Sequence, residues 1–389
     1  MRVLYLASAP RAHLTGAASQ TIALATAAIE RGWQATIAGP GGSALERAAI
    51  GAGIPFRQVA FGPAPWQVLA LRAVVRAEAP DVLHAMSTLP LVLAVPGLLV
   101  SGRRRRGGPA LFVSIVVEPD STLIYADARP RPRLTAFRNR LLLRVAPALD
   151  GVFPVSRAVR DALDAMGVGG RLTVVGAPFD LAGWLERSKA PIDLPPGRPR
   201  IGTAVGQLQR LKGVDHLVRA FARVTRTHPD AICLVAGEGG ERDALERLTA
   251  QLGIADRVHL LGYLDEPAPF IAALDVYAAP SLSEGLGTAT TEALALGVPV
   301  VATDVGGTRE QIENGVNGLL VPPADDDALA SALDRLLADS ALSSRLGHAA
   351  QEDVAAHHRG RGALETTWAE YRRATGRQPD PPAESWPTP

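Results

Sequence analysis

Hydrophobic positions in this chain fall into short continuous runs separated by longer amphipathic stretches, and the alternation starts at once. An apolar run at 2–8, an Ala-rich helical period at 16–31 stopped by Gly32, and a second apolar run at 35–39 predict a strand–helix–strand unit. Runs without polar alternation belong to strands covered on both faces, so the unit opens a doubly wound parallel sheet. The pattern continues with helix 43–52 and strand 55–60, helix 65–78 and strand 81–84, helix 88–100 and strand 111–117. Helix 134–145, strand 151–155, a helix capped by Ser156 and a strand at 172–175 follow. Between them, residues 118–132 are polar and proline-marked, long enough for a loop over a ligand cleft.

Residues 1–186 thus read as one domain and the proline-rich 187–199 as a linker. A second domain, 200–362, restarts the alternation with strand 200–205, loop 206–213 and a helix to about 227. Strand 231–236, turn 237–240, helix 241–252 and strands 258–261 and 298–303 come next, then helices 325–337 and 340–357. Leu364, Trp368 and Tyr371 recur at helical spacing within 363–375, and the proline-rich tail 378–389 is expected to be disordered. The fold class is α/β, with two doubly wound parallel sheets.

Composition narrows the class. With 47% hydrophobic and 20% charged residues the chain reads as soluble and globular. A lone cysteine, Cys233, sits between Ile232 and Leu234 as a buried strand residue, which leaves no disulfide and places the protein in the cytoplasm. The N-terminal apolar run is too short for a signal peptide, and the longest run, 89–100, holds Pro90 and Pro96, so no membrane span is expected.

Charge is unevenly placed. Residues 1–186 carry 20 arginines against 12 acids, a net of +8, and the remainder carries −7. The arginines at 103–106, 129, 131, 133, 138, 140 and 144 dominate the first half. They form either a solvated surface or a face for an anionic partner, a phosphate-bearing acceptor or the inner face of an anionic membrane touched peripherally. Nucleic acid is not expected.

The densest chemistry lies at 280–307, PSLSEGLGTATTEALALGVPVVATDVGG. The small residues 281–287 let backbone amides approach a ligand, and Thr288 is the expected N-cap of a helix to about Leu296. A glycine-rich loop feeding a helix start is an anion site. Two carboxylates, Glu284 and Glu292, stand on it. They suit a ligand whose phosphates are flanked by polyols; otherwise the stretch is a capped loop with two solvated glutamates.

Glu284-Gly-Leu-Gly, Glu292-Ala, Gly297-Val-Pro-Val-Val-Ala-Thr-Asp and Gly306-Gly307 resemble the donor signature of retaining glycosyltransferase family four. The resemblance is specific over 200–323 and looser over 1–186. It implies the GT-B fold, two Rossmann-like domains facing across a cleft, with 363–375 crossing back onto the first. It also implies retaining transfer of a sugar from a nucleoside-diphosphate sugar, of UDP or GDP type, to a hydroxyl of a saccharide, lipid or metabolite. By the same resemblance Glu292 holds the ribose, Glu284 a donor-sugar hydroxyl, and the amides of Gly285, Leu286, Gly287 and Thr288 the diphosphate. Gly206 to Gly213 resembles the second phosphate loop. Lys212 is in its place, Gln207 stands where the family carries arginine, and Arg210 is a candidate substitute. The base should lie against Gly262 and Tyr263.

On the acceptor side the resemblance implies His13 and Gly16, the latter half of a glycine pair completed here by Ala17. His84 ends its strand on the ligand side of such sheets, the alternative being a structural, hydrogen-bonded histidine. The family's histidine after the fifth strand is absent from 113–119, and Gly176-Ala177 replaces an expected asparagine. No paired carboxylates are set to chelate a metal, and Asp325 to Asp327 read as helix-capping charge, so neither metal nor cofactor is expected beyond the nucleotide-sugar co-substrate. Two rivals stay open: another GT-B reaction, such as an epimerase or phosphorylase, and a non-catalytic nucleotide-sugar-binding partner.

Overall fold

The structure, a computed structural model, describes residues 1–9, 14–61, 64–86, 108–116, 132–356 and 359–377. His13, helix 88–100, Arg103 to Arg106, nearly all of the 118–132 loop and the tail from Gln378 lie outside the described residues.

The apolar runs become strands for the reason the pattern gives: their side chains are buried on both faces, as in Val82–Ala85 and Ala110–Ile115. The chain divides into two units. The first holds β1 (Arg2–Leu6), β2 (Gln34–Gly39), β3 (Phe56–Gln58), β4 (Val82–Ala85), β5 (Ala110–Ile115) and β6 (Gly151–Pro154). They form one parallel sheet in the order β3-β2-β1-β4-β5-β6. The second unit starts at Asp180 and holds β7 (Arg200–Gln207), β8 (Ile232–Glu238), β9 (Val258–Gly262), β10 (Val276–Ala279), β11 (Val300–Thr303) and β12 (Leu319–Val321). Its parallel order is β12-β11-β10-β7-β8-β9. Counted from each unit's own first strand, the two sheets have the same order. In both, the order reverses between the first and fourth strands, where open α/β sheets bind ligands at their carboxyl ends.

The C-terminal helix Arg359–Thr375 belongs to the first unit and buries Leu364, Trp368 and Tyr371 there. Trp368 meets Trp33 edge-on at 5.7 Å, the Arg31 guanidinium lies 4.6 Å from the Trp368 ring, and Glu370 takes both arms of Arg171 at 2.6 and 2.7 Å. Among the described residues no helix is long and apolar enough to cross a membrane.

The structure departs from the pattern in several places. No strand forms at 172–175, where Leu172 makes an isolated bridge to Val152 at the sheet's edge. The strands Val276–Ala279 and Leu319–Val321, four and three residues long, are additional to those the pattern predicts. Helix Leu181–Arg187, capped by Asp180, occupies the approach to the proline-rich segment and belongs to the second unit.

Candidate functional site

The switch point of the second sheet lies between β7 and β10, and the two glycine-marked loops leave the ends of those two strands. Their backbones are in direct contact. Leu282 N–H donates to the Leu211 carbonyl at 2.8 Å. A Cβ on Gly213 would stand 2.0 Å from the Pro280 carbonyl oxygen, and its φ of +62° already favours glycine. This approach brings together two side chains 72 residues apart in sequence, Lys212 Nζ and Glu284 Oε2, at 2.6 Å. Both are mostly covered, at 22% and 16% exposure, and Ser281 Oγ lies 3.3 Å from the same carboxylate oxygen. Partial burial lowers the local dielectric, so both charges act more strongly here than they would in water.

Each loop opens a helix whose first amides no side chain satisfies. Gly213, left-handed, precedes Val214–Val224, and Gly287, at φ +75°, precedes Thr288–Ala295; neither helix start has a side-chain cap. Thr288 is therefore not the N-cap as the sequence predicts: the chain turns through a left-handed residue, which only glycine adopts cheaply, and Thr288 becomes the first helical residue. Helices beginning at Gly16, Ala44, Arg157, Leu181 and Asp326 are instead capped by Thr15, Ser43, Ser156, Asp180 and Asp325. The first turn of Thr288–Ala295 carries no acid, so the partial positive charge at its start is left for a ligand.

The loop is held from behind by Gln311, which the sequence reading missed, and by residues of the signature itself. Buried Gln311 donates through Nε2 to Thr291 Oγ1 at 2.7 Å and lies 3.4 Å from the Gly287 carbonyl. Gly307 N–H donates to the Glu284 carbonyl at 3.3 Å, which gives the Gly306-Gly307 turn a part in seating Glu284. Thr303 Oγ1 donates to the Ser281 carbonyl.

Glu292 sits on the same helix and makes no ion pair among the described residues. Burial pushes its pKa up to about 7, the nearby Glu266 carboxylate pushes in the same direction, and Arg187 opposes both. Some solvent exposure remains on the residue. Its backbone carbonyl, in the last turn of the helix, accepts the Trp184 indole N–H at 3.1 Å. Neither Trp184 nor Gln311 could be found by spacing, because each reaches its partner from a distant segment.

The remaining predicted residues are more dispersed. Gln207 ends β7 and accepts the Gln209 amide at 2.7 Å, while Arg210 is exposed at the start of the short turn Arg210–Lys212. Gly206 is exposed; Gly262, at φ +80°, closes β9 beside the Glu238 carboxylate, with half-buried Tyr263 after it. In the first unit Gly16 opens helix Gly16–Glu30 behind the Thr15 cap. His84 is corrected. It is wholly buried, with Nδ1 on the Tyr371 hydroxyl at 2.5 Å and Nε2 on Ser114 Oγ at 2.9 Å, and Tyr5, Phe112 and Phe153 close the cage. It therefore serves the core and is unavailable to a ligand. Among the described residues no group of three or more His, Cys, Asp or Glu side chains is arranged to hold a metal.

Comparison with known proteins agrees with this arrangement. The family model described as Glycosyltransferase Family 4 matches residues 14–182, and the one described as Glycosyl transferases group 1 matches residues 187–353. The lipopolysaccharide core biosynthesis glycosyltransferase LpsE of Rhizobium meliloti is 35% identical over 166 residues, covering 43% of this chain and 47% of the relative. The D-inositol 3-phosphate glycosyltransferase of Nocardia farcinica is 34% identical over 250 residues, 60% of this chain and 53% of the relative. The chain thus spans about half the length of these curated relatives. Among solved structures, HepE from Anabaena in complex with UDP and glucose superposes with a TM-score of 0.77 at 21% identity, over 95% of this chain and all of the other, and so shares the fold. Two matched halves, two sheets of one strand order and this shared architecture have a single reading: the chain belongs to the family-four and group-one glycosyltransferases of GT-B fold.

Proposed function

We propose that the chain is a retaining, metal-independent glycosyltransferase that moves a sugar from a nucleoside-diphosphate sugar, of UDP or GDP type, to a hydroxyl acceptor. The observation that carries this reading is the Lys212–Glu284 contact at 2.6 Å beside a helix start with no side-chain cap. One charge suits a phosphate oxygen and the other a sugar hydroxyl, the two kinds of group that adjoin where a diphosphate meets its sugar. The UDP and glucose bound in HepE support a nucleotide sugar as the donor.

In this mechanism the bond from the anomeric carbon to the diphosphate oxygen breaks with its electron pair leaving on the diphosphate. Lys212 and the amides at 285–288 stabilise the charge that builds there. The acceptor oxygen bonds to the same face of the anomeric carbon, and its proton passes to the leaving phosphate. Glu284 orients a donor-sugar hydroxyl and Glu292 accepts hydrogen bonds from the ribose. A Glu284→Ala variant should lose turnover while keeping its calorimetric affinity for the diphosphate product; equal losses in both would reject the assignment. A thermal-shift series with UDP, GDP, ADP and dTDP identifies the base, since a ligand of the folded state raises the melting point. Activity should survive excess EDTA, and rescue of a lost activity by magnesium would reject metal independence.

A further inference from the structure

The short helix Leu181–Arg187 is the first element of the second unit and lies outside the donor signature in sequence. It nevertheless packs against helix Thr288–Ala295 and presents two side chains to the surroundings of Glu292. Trp184, 5% exposed, donates its indole N–H to the Glu292 carbonyl at 3.1 Å. A helix carbonyl in the last turn has no intrahelical donor, so this bond supplies one and ties the turn bearing Glu292 to a rigid ring. One turn on, Arg187 lies over the Trp184 ring at 5.7 Å and pairs with Glu266 at 3.0 Å.

We infer that helix Leu181–Arg187 is part of the nucleotide site: Trp184 positions Glu292, and Arg187 screens Glu292 from the neighbouring carboxylate Glu266. This rests on the reading that Glu292 holds the ribose. The charged groups on the elements packed against Glu292's helix support the assignment. Helix Ala268–Ala272 and β11 carry none. Helix Ser340–Ala356 carries Arg345, turned to the Gly315 carbonyl, Asp353, against Asn317, and His348 and Glu352. Glu186 is exposed and paired with Lys189 at 2.6 Å, and Asp180, the exposed cap of the same helix, lies 3.6 Å from Arg187. Glu266 and Arg187 are the two whose charges act on the Glu292 carboxyl, in opposite senses. An ionised carboxylate accepts ribose hydroxyls better than a protonated one, so nucleotide affinity should rise as pH climbs through the Glu292 midpoint near 7.

The test is calorimetric binding of UDP, GDP and ADP to the full chain between pH 5.5 and 8.5, roughly one unit either side of that midpoint and beyond. Glu292→Gln reports the ligand's own titration. Arg187→Gln should raise the protein's midpoint by on the order of half a pH unit, Glu266→Gln should lower it, and Arg187→Lys should restore it. Trp184→Phe should weaken nucleotide binding about threefold to tenfold while leaving the midpoint in place. Arg187 and Glu266 are both about two-fifths exposed, so their variants should fold even if Trp184→Phe does not. If the pH dependence of wild type equals that of Glu292→Gln, which shows the ligand's own titration alone, the ribose reading is refuted and this inference with it. A midpoint lost in Glu292→Gln but unmoved by Arg187→Gln and Glu266→Gln refutes this inference alone.

Discussion

The two sheets have the same strand order, yet the carboxyl ends of their strands differ in kind. At the end of β4 in the first, the polar group is His84, sealed among Tyr5, Phe112, Phe153 and Tyr371 with both ring nitrogens bonded. At the switch point of the second, Lys212 and Glu284 are only partly covered, and two helix starts keep their amides open. One topology therefore carries a sealed, hydrogen-bonded histidine in one unit and a partly exposed ion pair beside uncapped helix starts in the other. In the second condition, left-handed glycines at 213 and 287 set the turns into the two helices, and the one at 213 lets the two loop backbones approach closely.

The largest effects should separate these two conditions. His84→Ala should cost about 2–5 kcal/mol of stability, since it opens a core cavity and orphans the Tyr371 and Ser114 hydroxyls. Chemical denaturation of the variant measures this. Lys212→Ala should leave stability nearly unchanged and slow turnover by about 100- to 1,000-fold. A variant of either kind that showed the other's phenotype would erase the contrast.

Acid sharpens the same difference. Burial holds the His84 pKa down at about 3, while the unfolded chain protonates near 6.5. The unfolded state binds the extra proton between those values, so stability is complete above about 6.5 and drains as pH falls toward 3. Melting temperatures of wild type and His84→Phe should converge across that window.

Smaller effects belong to the nucleotide. Glu292→Ala should weaken UDP binding by roughly 1–3 kcal/mol, and an unchanged calorimetric affinity would remove Glu292 from the ribose. Gln207→Arg should tighten UDP by about 1–2 kcal/mol, because a charged fork replaces a neutral amide now turned to Gln209. Arg210→Ala should change it less, as that side chain points to solvent. If neither change alters affinity, the 206–213 loop does not meet the diphosphate.

The doubly wound alternation was legible because buried parallel strands write themselves as apolar runs. Val276–Ala279 and Leu319–Val321 were not assigned, although Val82–Ala85 and Val300–Thr303, no longer than the first of them, were. Glu284 and Lys212 stood out through the motifs around them, but their contact did not, since it depends on which strands become neighbours in the sheet. Trp184 gave no signal at all: an aromatic residue in a short amphipathic stretch reads as core, and its bond to Glu292 spans 108 residues. Thr288 misled because N-cap preferences favour threonine, whereas the geometry required the preceding glycine.

The Gly213–Pro280 approach has a consequence for anyone who would redesign this protein. The space of a side chain at 213 is already filled by a carbonyl 2.0 Å from where its Cβ would be. Loop 206–213 and loop 280–287 are therefore one heritable module written in two pieces of sequence. A donor-specificity graft that transplants the second piece alone will inherit a mismatched partner, and a random library at position 213 should return glycine almost exclusively.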